Sequence, residues 1–336
     1  MDGQNYWTGN STFNLWNFWN KTLPGYNPAN VANVEWTRSN DPTSAVKLGW
    51  RNWGAQSRVT PEQNILSPLV KAVFGARLTS MAGILAEFVR AGHKDLLGTV
   101  KVGWEAGLEY NAYYYKNGNS LLNDPPANDP VIGLDWDCHK AKVEHCSPVE
   151  YLAAGKDVAL LGYAAAKSAG LTPSGPGGVL TGADAAKLTV EYVSWCASTV
   201  VATGVPADIV SNHVGGQVPP YKAVGYEAGF MAEDLGYPGY SFYWGNASNP
   251  ATGFPAAMKA ANRTKWACAE WQPPGDKKGT SSGWLESFKA QLSYLDCAHL
   301  SVYDNDVTKQ PHVVAAVQEL LKGGAPWRGR QGLLRE

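Results

Sequence analysis

The chain has 336 residues, enough for one large domain or two ordinary ones with a sizeable core. Its net charge of −1, without a basic run, argues against nucleic acid as a partner. Charged residues reach only 17% against about 25% in an average globular protein, while 14 Trp and 16 Tyr lift the aromatic share to 11%. That balance suits an aromatic core or a sugar-binding cleft, because pyranose rings present apolar C–H faces to aromatic rings. No stretch reads as a membrane span, so a soluble chain without a membrane partner is expected.

Residues 1–61 are dense in Asn, Trp, Gly and Pro without sustained periodicity, and read as a long aromatic-rich loop region. Only VANVEW (31–36) has the pattern of a short strand there. TPEQ predicts a capped helix from about Pro61 to about Gly92, and GTVKVGWEAG (98–107) then predicts a strand ending at a carboxylate. A polar, Pro-rich loop at 116–147 precedes two Ala-rich amphipathic helices, 148–169 and 182–203, joined by LTPSGPGG. Short apolar runs follow at ADIVSNHVGG (207–216), YPGYSFYWGN (237–246), TKWACAEW (264–271) and AHLSVYDND (298–306), with helices at 254–263, 283–296 and 310–322.

From residue 62 to 325 the order is therefore helix and strand in alternation, with 326–336 left as a tail. Such alternation implies parallel strands joined by helical crossovers. The ends of the runs carry Glu105, Asn212 with His213, Tyr240 and Tyr243, Glu270, and Tyr303 with Asp304. Polar residues gathered at the carboxyl ends of successive strands mark the active face of a (β/α)8 barrel. A doubly wound sheet would also alternate, but no G-x-G-x-x-G fingerprint or phosphate loop supports it. The expected class is thus α/β of TIM-barrel type. Only five strand–helix units are legible, so they number as strands four to eight. MDGQNYW then reads as the loop leaving strand three, with the first strands expected outside this sequence.

Strands four and seven of a closed barrel face each other across its mouth, which pairs Glu105 with Glu270. Two carboxylates about 5–5.5 Å apart perform retaining glycoside hydrolysis, one protonating the leaving oxygen and the other attacking the anomeric carbon. The motifs VGWEAG, SNHVGG, YPGYSFYW and WACAEW, in this strand order, resemble the retaining glycoside hydrolases of clan A over about residues 98–306. That resemblance implies Glu105 as acid/base and Glu270 as nucleophile. It further implies Tyr240 or Tyr243 as the tyrosine that hydrogen-bonds the nucleophile, and His213 at the sugar site. One position departs from the clan, which carries Asn before the acid/base where this chain has Trp104; Glu109 is the alternative acid/base.

The expected function is a retaining hydrolase of a polysaccharide or glycoconjugate. The alternative is a carbohydrate-binding protein that keeps the aromatic platform without turnover. Trp7, Trp16, Trp104, Tyr113, Trp244 and Trp271, with Asn212, are the expected sugar contacts. Neither a cofactor nor a metal is expected. Few His and Asp sit at strand ends, and G-x-S-x-G is absent. N-x-[S/T] sequons at Asn10, Asn20, Asn246 and Asn262 point to a secreted glycoprotein. Cys138 and Cys146 flank the loop DCHKAKVEHC and suit a local disulfide in an oxidising compartment. His139 and His145 share that loop, but it lacks the C-x-x-C spacing of a zinc site. MDGQNYW is no signal segment, so a secreted form is expected to carry its leader upstream.

Overall fold

The computed structural model describes residues 15–22, 25–46, 49–52, 57–60, 63–106, 112–115, 158–214, 225–303 and 309–322; at 49–52, 57–60, 104–106, 112–115 and 158–160 it describes the backbone only. The principal elements are, in chain order, β1 (Gly49–Asn52), β2 (Ser57–Thr60), α1 (Pro68–Phe88), β3 (Val100–Ala106), β4 (Ala112–Tyr115), β5 (Val158–Leu160), α2 (Tyr163–Ala169), α3 (Gly182–Val201), β6 (Val210–Val214), β7 (Gly239–Phe242), α4 (Phe254–Ala260), β8 (Lys265–Trp271), α5 (Ser281–Leu292), β9 (Asp296–Val302) and α6 (Pro311–Lys322). They form two compact units, Met1–Leu78 with Ala106–Tyr192 and Pro219–Ala228, and Thr79–Glu105 with Val193–Val218 and Gly229–Glu336.

The first unit holds an antiparallel sheet of order β2-β1-β4-β5 that the sequence pattern does not announce. Its strands are three or four residues long, too short for alternation to register. The helix expected over 148–169 is, within the described residues, a strand at Val158–Leu160 followed by a helix only from Tyr163. Gly162 sits between them at φ 122, a backbone angle that residues with a Cβ rarely adopt. The helix expected from Pro61 begins at Pro68. Gln63 forms a bridge with Val34, and the Asn64 side chain accepts from the Leu66 amide, so this segment is held as a turn.

Asn33 and Asn64 serve the fold of the first unit. Asn33 accepts from Ser67 Oγ at 2.6 Å and donates to Asn30 Oδ1 at 3.0 Å, while Asn64 donates to Ala32 O and to Ser168 Oγ. Glu35, at 1% exposure, accepts from the Gly162 and Ala164 amides at the start of α2. Around it Trp36, Ile65, Leu66, Tyr163, Leu180 and Leu188 form one apolar cluster. α3 opens on a reciprocal cap: Thr181 Oγ1 accepts from the Asp184 amide, and Asp184 Oδ2 accepts from the Thr181 amide. Burial pushes the Asp184 carboxyl up, and its hydrogen bonds to Ser174 and Thr181 outweigh this, holding it below the usual range.

The second unit is built on a parallel sheet of order β3-β6-β7-β8-β9, so each strand lies beside the next one of the set in sequence. α4 connects β7 to β8, and α5 connects β8 to β9. One face of the sheet is apolar. Phe254 of α4 meets Tyr240, Phe242 and Trp266 at ring separations of 5.4, 5.2 and 5.0 Å. Trp271 meets Trp284 and Phe288 of α5 at 5.9 and 5.3 Å. Each such ring contributes about 1.5–3 kcal/mol through burial. Against the expectation of no membrane-length stretch, Pro68–Leu96 is long and apolar enough to cross a bilayer by length and composition alone.

Candidate functional site

The opposite face of the parallel sheet is polar, and a β-bulge decides which side chains reach it. Tyr240 pairs with Cys268, but the next residue, Ser241, pairs with Glu270, so Ala269 is an extra residue in β8. Strict alternation would place Glu270 on the face of Trp266 and Cys268, among the helices. The bulge reverses its phase, so that Glu270 shares the face of Ser241 while Trp271 returns to the core beside Phe242. The Ala269 carbonyl accepts from Lys101 Nζ of β3 at 2.9 Å.

Glu270 is half-buried, and its carboxylate accepts from the Tyr243 hydroxyl just beyond β7. The Tyr243 ring lies edge-on to Tyr303 at 5.4 Å and tilted against Trp244 at 5.9 Å. Trp244 is 61% exposed and Tyr303 53%. Trp244 also holds φ 58, a left-handed backbone that bulky residues seldom occupy. Its turn is braced from beneath: Trp271 Nε1 donates to Gly245 O at 3.0 Å, and buried Gln291 accepts from the Ala247 amide at 2.9 Å. Gln272 donates to Tyr303 O at 2.9 Å and accepts from Lys278 Nζ at 2.9 Å. Among the described residues, the carboxyl ends of β7, β8 and β9 thus present the Glu270 carboxylate amid exposed and half-buried aromatic rings.

Deeper on the same face, His213 is fully buried with Nε2 2.7 Å from Ser241 Oγ. Burial, with the Lys101 charge adding to it, pulls its pKa down to about 3, so the imidazole is neutral at ordinary pH. His299 lies 2.9 Å from Ser301 Oγ, and burial and Lys101 lower its pKa as well. The thiols of Cys268 and Cys297 are pushed up by burial, Cys297 to about 12, and both stay protonated. Among the described residues, no group of three or more His, Cys, Asp or Glu is placed to hold a metal.

The expected site residues therefore divide. Glu270, Tyr243, Trp244 and His213 lie on or at the end of the polar face. Tyr240, Asn212 and Trp271 belong to the opposite face: Tyr240 and Trp271 pack against helices, and Asn212 bridges Gly229 O at 2.7 Å and the Gly239 amide at 2.9 Å. Between the two tyrosines offered as partners of Glu270, the hydroxyl contact is made by Tyr243. Trp16, in the first unit, is 2% exposed and offers no open ring face. Asn20 accepts from the Thr22 amide and hydroxyl, the Asn246 Oδ1 is buried, and Asn262 is exposed with φ 51. Trp7, Asn10, Glu109, Cys138, His139, His145, Cys146 and Asp304 lie outside the described residues, as do the side chains of Trp104, Glu105 and Tyr113.

Lys101, Ser241, His299, Gln272 and Lys278 were not singled out by sequence. VKVGW carries Lys101 as a lone charge in a strand, the one local signal available. Comparison with known proteins returned no matching family, no matching curated protein and no matching solved structure.

Proposed function

We propose that this protein is a retaining glycoside hydrolase with Glu270 as nucleophile. The observation that carries the proposal is the Tyr243 hydroxyl donating to a carboxylate which a bulge has turned out of the core, at the carboxyl end of a parallel sheet. A hydrogen bond of this kind aims the Glu270 carboxylate, as a nucleophile requires. Exposed Trp244 and Tyr303 beside it supply apolar faces for a sugar ring.

A (β/α)8 barrel is the architecture this reading takes. A doubly wound sheet reverses its strand order at a switch point, whereas here the order β3-β6-β7-β8-β9 runs one way, as strands four to eight of a barrel do. Glu105, near the carboxyl end of β3, is the proposed acid/base. In the first step a Glu270 oxygen bonds to the anomeric carbon as the glycosidic C–O bond breaks, and the leaving oxygen takes the Glu105 proton. In the second, Glu105 takes a proton from water, which attacks the same carbon and releases Glu270. The substrate is a polysaccharide or glycoconjugate, and the sequons, with Asn262 exposed, support a secreted glycoprotein.

Trp104, where clan A carries Asn, favours a second reading, a carbohydrate-binding protein without turnover. Assay of wild type, Glu105→Gln and Glu270→Gln on a panel of aryl glycosides and oligosaccharides separates the two. Hydrolysis abolished by either change supports the enzyme. Binding without hydrolysis in all three proteins leaves the binding reading.

A further inference from the structure

We infer that the sugar this site takes carries an anionic group, a carboxylate or a sulfate ester, held by Lys278 while its ring lies on Trp244. The inference rests on the carbohydrate reading of the site and names its substrate class. Two neighbouring lysines supply the contrast. Lys277 is tied to Glu286 at 2.9 Å. Lys278 is half-buried, yet among the described residues it meets no carboxylate. Its ammonium donates to Gln272 Oε1 at 2.9 Å and stands 5.9 Å from the centre of the Trp244 ring.

An ammonium has three donors, and burial withdraws part of its hydration, so a single neutral acceptor leaves it short of partners. Its position is nonetheless fixed: Gln272, which receives it, is itself anchored on the Tyr303 carbonyl. Trp244 is equally fixed, because its strained φ is maintained by the braces on Gly245 and Ala247. A pinned cation that meets no carboxylate among the described residues, beside a pinned, exposed indole, matches a ligand with an apolar ring face and a negative substituent. A neutral sugar would satisfy Trp244 alone, whereas a uronic acid or sulfated sugar would also give Lys278 a charge-assisted hydrogen bond.

Calorimetric titration of the full chain with matched oligosaccharide pairs tests this, each uronic acid against its carboxyl-reduced form and each sulfated sugar against its desulfated form. At low salt the anionic member should bind at least about tenfold tighter, and the gap should narrow as salt rises. Lys278→Gln should erase the gap and Lys278→Arg should keep it, which a merely structural lysine would not produce. Trp244→Ala should weaken both members of a pair alike. The pair that shows the gap identifies carboxylate or sulfate. Equal binding within every pair, or a gap that survives Lys278→Gln, overturns the inference. Turnover without anionic preference sinks only the inference, anionic binding without turnover sinks only the hydrolase, and binding of neither member sinks both.

Discussion

Two apolar stretches of this chain each carry a single glutamate near the end, VANVEW at Glu35 and KWACAEW at Glu270, and their surroundings give them different work. Glu35 is buried and receives two backbone amides at the start of a helix, a fixed arrangement that closes off its Oε2. Glu270 is half-buried and receives a phenol hydroxyl, a partner that in the proposed mechanism rearranges as charge moves onto the anomeric carbon. A carboxylate on an apolar run thus says little by itself. Its partners separate the two cases, backbone donors holding Glu35 in a structural role and a side-chain donor beside open aromatic faces supporting the proposed chemistry of Glu270.

The largest effect should separate the two glutamates by activity. Glu270→Gln should lower kcat/KM by about a thousandfold or more on any substrate the wild type cleaves, with unfolding free energy changed by less than about 1 kcal/mol. Equal losses of fold and activity would erase the distinction. Glu35→Ala should do the reverse, leaving two buried amides unmet and costing about 2–4 kcal/mol in denaturant unfolding. Substrate affinity in the molecules that remain folded should be unchanged.

A third effect sharpens the picture of the polar face. His213 has its folded pKa depressed to about 3 from 6.5, so as pH falls the unfolded chain takes up the proton first. Its contribution is therefore complete above pH 6.5 and is lost on the way down to about pH 3, at about 1.4 kcal/mol per pH unit. His299, also depressed, adds a slope of the same sign. Urea unfolding between pH 7 and 5 should show this decline, and His213→Gln should remove the His213 share; an unchanged slope would place the titration elsewhere. The smallest effect is that of Tyr243→Phe, which should cut kcat about tenfold, near 1.4 kcal/mol, with KM little moved.

Much of the parallel sheet was legible in the sequence. The runs near 99, 208, 239, 265 and 299 are its five strands, because buried parallel strands are apolar and bounded by glycines and helices. The antiparallel sheet was not, since its short strands pair across more than 40 residues between β4 and β1 or β5, and no local pattern reports such pairing. The position of Glu270 was legible but its orientation was not. Counting from Trp266 assigns it to the core, and only the pairing of Ser241 with Glu270 reveals the bulge. Trp271, expected as a sugar contact, and Tyr240, one of the two tyrosines offered to Glu270, are buried on the apolar face for the same reason, because composition does not tell the two faces of a strand apart.

Chemical rescue of Glu270→Ala tests the central claim most directly. In the presence of azide the variant should regain cleavage of an activated aryl glycoside and release a glycosyl azide of inverted anomeric configuration, read by NMR. Hydrolysis that persists in Glu270→Ala without azide, with the anomeric configuration of the wild-type product, would contradict it.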